Sequence, residues 1–133
     1  MTNKSKKITS EISAGELLDK LSILEIKLEK IKDKASLEEI NKEYKILKEV
    51  KNSYIEPTNR IKDLFDQIKN VNKNLWDVED QLRIYEKNKD FGDNFIKLAR
   101  SVYFNNDKRS KIKLEINNFL GSNIKEIKLY AKY

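Results

Sequence analysis

Apolar residues recur along most of the chain at alternating steps of three and four positions, which is the spacing of a heptad seam on an α-helix. One such series spans residues 17–35, and a second spans residues 37–54. Each series follows a Ser-x-x-Glu capping box, which begins at Ser13 and at Ser36. The link between the two series is very short, so the pattern predicts either an antiparallel hairpin or a kinked helix.

The second half of the chain carries the longest series, at residues 61–85 and 95–119, on either side of a short polar turn. Pro57 suits the first turn of the third helix, and Gly121 suits the position that ends the fourth. We therefore predict an all-α fold with two antiparallel helical hairpins. They pack as an elongated, coiled-coil-like four-helix bundle whose long hairpin spans about residues 58–120.

The bundle divides the chain into three predicted parts. Residues 1–12 form a flexible basic segment, residues 13–121 form the helical domain, and residues 122–133 form a tail that is a short helix or a docked strap. The second hairpin is the longer, so its end around residues 80–102 projects when the hairpins align at Pro57. An exposed seam on that end invites a second copy of the chain, and we predict a homodimer, with a partner protein as another possible occupant.

The fourth series keeps its period but turns polar at Asn105 and Arg109, within the stretch SVYFNNDKR. Folding the long hairpin about residues 90–92 places this stretch opposite residues 76–83, which hold the one Trp and the densest group of acids. One interpretation is a structural layer of ion pairs and hydrogen bonds that sets the helix register.

The other interpretation of this layer is a pocket for an anionic ligand that carries a phosphate or resembles a sugar nucleotide. Aromatic rings would stack on the ligand, and arginine side chains would hold its phosphate or carboxylate through paired hydrogen bonds. The candidate ligand-binding residues are Trp76, Glu79, Asp80, Arg83, Arg100, Tyr103, Asn106, Asp107 and Arg109.

Composition narrows the possible chemistry. The chain has no Cys and no His, which excludes disulfides, thiolate sites and histidine general bases. We lean against an enzyme and expect no resident cofactor. One alternative is a Mg²⁺-dependent nucleotide or pyrophosphate hydrolase, with Asp77 and Asp80 on one face of the third helix as metal ligands. A further alternative is a coiled-coil scaffold without a small ligand.

The net charge of +6 is concentrated in residues 97–133, where nine Lys or Arg face three acids. A basic region of this kind suits an anionic partner. Lysine heavily outnumbers arginine and few aromatics alternate with the basic residues, so we do not expect nucleic-acid binding. No apolar run is long enough to span a membrane and the N-terminus has no signal-peptide core, so we predict a cytoplasmic protein.

Three segments of the sequence resemble a known protein family: GELLDKLSILEIKLEKI, LWDVEDQLR, and FIKLARSVYFNNDKRSKIKLEIN followed by GSNIKEIKLY. From about residue 13 to residue 133 the chain resembles an uncharacterised bacterial family of small helical proteins. This family is a domain of unknown function met beside glycosyltransferase genes of surface-polysaccharide clusters. The resemblance implies that residues 76–83 and 99–109 are the family's most specific stretches. The family has no established activity, so the catalytic residues stay unknown.

Overall fold

The computed structural model describes residues 6–133 and contains four helices: α1 (Ala14–Lys30), α2 (Lys34–Tyr54), α3 (Asn59–Lys87) and α4 (Asp93–Leu120). No strand occurs within the described residues. The prediction of an all-α, four-helix architecture is confirmed. Residues 1–5, part of the predicted flexible N-terminal segment, lie outside the described residues.

The central element of the fold is α1, which packs against each of the other three helices, whereas the backbone of α2 comes close only to that of α1. This position explains why α1 is buried on several sides, with Leu18 and Ile26 as inaccessible as the predicted seam residues Leu17 and Leu21. The leucines of the predicted seam are buried, and the buried surface of α1 extends beyond that seam to Leu18 and Ile26. Its counterpart α2 has no buried residue and covers α1 with half-buried side chains.

Of the two capping boxes that the sequence predicts for the first two helices, only the one at Ser13 is present. Ser13 caps α1 as predicted, and its hydroxyl accepts a hydrogen bond from the backbone N–H of Glu16 at 3.1 Å. The capping box predicted at Ser36 is wrong, because α1 already ends at Lys30 and α2 begins at Lys34, two residues before Ser36. The N-cap is Asp33, whose carboxylate accepts from the Ser36 hydroxyl and backbone N–H.

Helices α3 and α4 form the predicted long hairpin, and Gly121 ends α4 with φ of 62°, in the left-handed region. The core of the molecule occupies only one end of this hairpin, where α1 crosses it; the core residues contributed by the hairpin are Ile61, Leu64, Ile68, Val71, Ile112 and Ile116. No residue between 73 and 111 is buried. We call residues 77–105 the tip and the part that packs around α1 the base.

The chain after α4 is extended and returns along that helix toward the tip. The carboxylate of Glu126 lies against Lys113 of α4, and the Tyr133 hydroxyl donates to the Asp107 carboxylate further along the helix. We call residues 122–133 the strap. Hydrogen bonds of Ser122, Asn123 and Lys125 also hold its beginning, and the side chains between Glu126 and Tyr133 face solvent.

Candidate functional site

A cluster of buried polar side chains lies in the base, between α1, α3 and α4. The Asn72 amide donates two hydrogen bonds of 2.8 Å, one to the Asp19 carboxylate and one to the Ser22 hydroxyl. The Ser22 hydroxyl in turn donates to the backbone carbonyl of Asp19 at 2.7 Å. Polar groups at such depth are stable only when they are paired, and these three pair with one another.

Arg109 extends this cluster toward the tip. Its guanidinium donates to the Asn72 side-chain carbonyl at 3.3 Å and to that of Asn106 at 2.9 Å. Both acceptors are neutral amides, and no carboxylate within residues 6–133 forms an ion pair with this half-buried group. No carboxylate of the described chain therefore neutralises the charge of this guanidinium, although its hydrogen bonds join it to the cluster.

Lys113 lies on the side of the cluster that faces away from the tip. Its ammonium lies 2.7 Å from Glu16, 3.1 Å from Glu126 and 3.9 Å from Asp19. Burial lowers the pKa of Lys113, but the hydrogen bonds to Glu16 and Glu126 outweigh this effect, so the pKa is raised above its ordinary value. The buried ammonium is thus fully compensated by carboxylates from α1 and the strap.

The N-terminus of α1 docks directly onto α4 beside this cluster. The backbone N–H of Gly15 donates to the Asn117 side chain at 2.7 Å, and that of Ala14 donates to the Ser122 hydroxyl at 3.1 Å. A Cβ atom on Gly15 would lie 2.5 Å from the backbone oxygen of Lys113. Glycine is therefore required here by the close approach of two backbones.

These contacts close the cluster without a ligand. Among the described residues, no buried side-chain nitrogen or oxygen lacks a hydrogen-bond partner. The cluster behaves as a structural polar layer, and it joins Asn106 and Arg109 of the candidate residues predicted from the sequence. It lies closer to the base than predicted, because α1 supplies its acid through Asp19.

The other candidate residues do not converge on one site. Arg83 pairs with Glu79 one turn away on the same exposed face of α3. Arg100 donates from Nε to the Tyr103 hydroxyl at 3.3 Å, within α4. These contacts are local to each helix, and neither of them joins α3 to α4.

The remaining candidates are spread over the tip and the strap contact. Trp76 is half-buried, and Asp107 is occupied by the Tyr133 hydroxyl. Asp77 and Asp80 both lie on the exposed face of α3. Within residues 6–133, no group of three or more acidic side chains is arranged to hold a metal ion.

Sequence reasoning considered Asp19 only as a metal ligand paired with Glu16, and it missed four other buried polar residues, namely Ser22, Asn72, Lys113 and Asn117. They lie outside the heptad seams, on second faces that are buried because α1 crosses the long hairpin. The usable signal was Gly15, since a glycine in the first turn of a helix indicates close approach of another backbone.

The tip differs from this closed cluster because it exposes apolar side chains. Its large exposed hydrophobic residues are Ile84, Phe91, Ile96, Tyr103 and Phe104. The Tyr133 ring lies 5.3 Å from the Tyr103 ring and 5.0 Å from the Phe104 ring, so the strap covers only the lower end of this surface. No helix of the described chain is both long and apolar enough to cross a membrane.

The fold and its cluster define a small four-helix protein with a self-satisfied polar layer and a projecting hairpin. A family model described as a family of unknown function (DUF6165) matches residues 8–132, and the chain belongs to that family. No curated protein and no solved structure matches the chain. This confirms the predicted membership of a domain of unknown function, while the link to surface-polysaccharide clusters stays a prediction.

Proposed function

We propose that the protein is a helical assembly module that forms a homodimer through its tip. The observation that carries this proposal is the uncovered apolar surface of the tip. Ile84 on α3 is 58% exposed and Ile96 on α4 is 52% exposed, and neither arm of the hairpin has a buried residue there. Exposed apolar surface on a projecting element is typical of an interaction site.

The tip's charges favour a second copy of the chain as the occupant. Residues 77–105 hold six acids and five bases, so the net charge of the tip is close to zero. Two tips that pair about a two-fold axis therefore meet without strong charge repulsion. Such an isologous interface uses the same surface of both copies.

The same arrangement completes the packing of the hairpin. The α3 arm of the tip is about 15 Å long at 1.5 Å per residue, and its seam is only half-buried. Two tips side by side make a short four-helix bundle in which the isoleucines of both copies leave water. The two bases then lie at opposite ends of the dimer.

Sedimentation equilibrium tests the dimer directly. We expect the wild-type chain to sediment as a dimer at micromolar concentration and the Ile84→Glu variant to sediment as a monomer. The matched control is Ile46→Glu on α2, where the isoleucine is 54% exposed and lies far from the tip. A monomeric wild type, or an equal effect of the two substitutions, overturns the proposal.

One observation favours a second candidate function, which is binding of an anionic ligand beside Arg109. This guanidinium is half-buried and has only neutral acceptors, whereas arginines in such positions commonly pair with a carboxylate or phosphate. The test is a thermal-shift series with phosphate, phosphosugars and nucleotide sugars, with and without Mg²⁺. A ligand shift that is lost in Arg109→Met supports binding, and no shift with any of these probes counts against it.

The Mg²⁺-dependent hydrolase and the cytoplasmic location stay predictions from the sequence. The hydrolase has a direct test, which is Mg²⁺-dependent release of pyrophosphate from nucleotides and its loss in Asp80→Asn.

A further inference from the structure

The strap presents large apolar side chains to solvent. Ile127 is 83% exposed, Leu129 is 95% exposed and Tyr130 is 68% exposed. Because the strap is fixed on either side by the Glu126–Lys113 and Tyr133–Asp107 contacts, this segment is held outward along α4. Three exposed apolar residues within four positions, on a segment anchored at both ends, form a surface available for contact.

The face of α4 beside the strap continues this surface. Lys111 and Leu114 of α4 line a cleft of about 230 Å³ together with Ile127 and Lys128 of the strap. Leu114 is itself exposed. The surface therefore combines aliphatic side chains with ammonium groups.

The charge of this surface is mainly positive. Each acid of residues 97–133 is already engaged: Asp107 by Tyr133, Glu115 by Arg60, and Glu126 by lysines. Within the described chain, the cations of this region that have no ion pair are Lys97, Arg100, Lys108, Arg109, Lys111, Lys125 and Lys132. Of these, Lys108, Lys111, Lys125 and Lys132 belong to the strap or to the adjoining part of α4, whereas Lys97 and Arg100 lie in the tip and Arg109 bonds within the polar cluster. Four ammonium groups of this surface are therefore without an ion pair and available to an external anion.

We propose that the strap and the adjoining face of α4 bind the surface of an anionic lipid bilayer. Ile127, Leu129 and Tyr130 enter the headgroup region, while the surrounding lysines contact the anionic headgroups. The methylene chains of the lysines lie beside the apolar side chains, while the lysine ammonium groups remain in contact with water and headgroups. The chain lies on the bilayer through this surface and keeps the base and the tip in water.

A bilayer fits this surface better than a nucleic acid does. A nucleic acid satisfies the lysines but offers no apolar medium for Ile127 and Leu129, which are the most exposed apolar residues of the strap. Single-stranded binding depends on aromatic platforms for the bases. Of the aromatic residues here, Tyr133 is packed on Tyr103 and Phe104 of α4.

Vesicle cosedimentation of the full chain tests the proposal. We expect binding to vesicles of equal parts phosphatidylcholine and phosphatidylglycerol, little binding to pure phosphatidylcholine, and weaker binding as salt is raised. Lys132→Gln lowers the partition coefficient about fivefold, as expected from about 1 kcal/mol per lysine near an anionic surface. Leu129→Asp lowers it by more, because it removes the apolar anchor and adds a negative charge.

Matched controls separate this surface from a general effect of charge or exposure. Lys42→Gln and Ile46→Asp alter exposed residues of α2, on the other side of α1, and we expect both to bind vesicles like the wild type. Circular dichroism checks that every variant is folded. No preference for the anionic vesicles, equal losses in the α2 controls, or binding to a single-stranded oligonucleotide without binding to vesicles overturns the proposal.

Discussion

The base and the tip are built from the same two helices with the same apolar period, yet one is buried and the other is not. Leu64 in the base is completely inaccessible, while Leu82, later in the same series on α3, is half-buried. The difference is α1, which crosses the hairpin at the base and ends at Lys30 before it reaches the tip. A heptad pattern therefore reports which face of a helix is apolar and leaves open what covers that face.

The two regions also differ in how they use polar groups. In the base, polar side chains are buried and form a closed network centred on Asn72 and Lys113. In the tip, polar contacts such as Arg83–Glu79 are exposed and join residues of one helix. Exposed pairs of this kind contribute little to stability, so we expect the base to set the stability of the chain and the tip to remain available for association.

The largest expected effect comes from truncating matched leucines in the two regions. Leu64→Ala leaves a cavity in the base and lowers the free energy of unfolding by about 2–5 kcal/mol. Leu82→Ala removes a half-buried side chain and costs about 1 kcal/mol in the isolated protomer. Urea denaturation measures both.

Protein concentration adds a second readout to this pair. If a second copy covers the tip, the loss of stability caused by Leu82→Ala increases as the protein concentration is raised. The loss caused by Leu64→Ala remains the larger of the two at every concentration. Equal costs for the two variants at low concentration contradict the difference between base and tip.

The sequence was sufficient to predict the helices, because their period and the Gly121 end are local signals. The prediction that Pro57 lies in the first turn of α3 is wrong, because Thr58 caps that helix and Pro57 precedes the cap. The bounds of α3 and α4 agree closely with the predicted long hairpin. The hairpin register also agrees, since the Arg109–Asn72 hydrogen bond joins positions that the predicted fold places almost level.

The candidate site could not be predicted to the same extent, because it depends on where a third helix crosses the hairpin. Asp19 and Lys113 are separated by most of the chain and meet only through that crossing. Phe119 shows the reverse error: its spacing predicts a buried position, but its side chain is exposed, although the start of α1 contacts both Asn117 and Ser122. Local pattern carries no information on such tertiary contacts.

A smaller effect is expected from adding one methyl group at a glycine of each region. Gly15→Ala forces a Cβ atom against the Lys113 backbone oxygen, so α1 and α4 must separate. We expect this to lower the free energy of unfolding by about 1–3 kcal/mol, the range of overpacked cores. Thermal or urea denaturation measures it.

The control for this substitution is Gly92→Ala in the turn of the tip. A Cβ atom there meets only the flexible Asp90 side chain, at 3.4 Å, and the backbone is extended. We expect a change close to zero. If the Gly15→Ala variant is as stable as Gly92→Ala, then α1 and α4 do not approach each other as closely as the structure shows.

The smallest expected effect is on the acid sensitivity of the base. Hydrogen bonds from Lys69 and Lys73 lower the pKa of Glu29, and a hydrogen bond from Lys113 lowers the pKa of Glu126. A carboxyl group with a lowered pKa takes up its proton more readily in the unfolded chain, so its contribution to stability is present above its ordinary value of 4.5 and is lost as the pH falls below it.

Both carboxyl groups are accessible to solvent, so we expect a modest loss of stability between neutral pH and about pH 4. The Glu126→Gln variant loses less stability over this interval than the wild type, because the substituted side chain no longer titrates. Asp80→Asn on the tip, where the carboxylate has no ion pair within the described residues, keeps the slope of the wild type. Urea midpoints at the two pH values measure the difference, and equal slopes for Glu126→Gln and the wild type contradict a stabilising contact between the strap and the base.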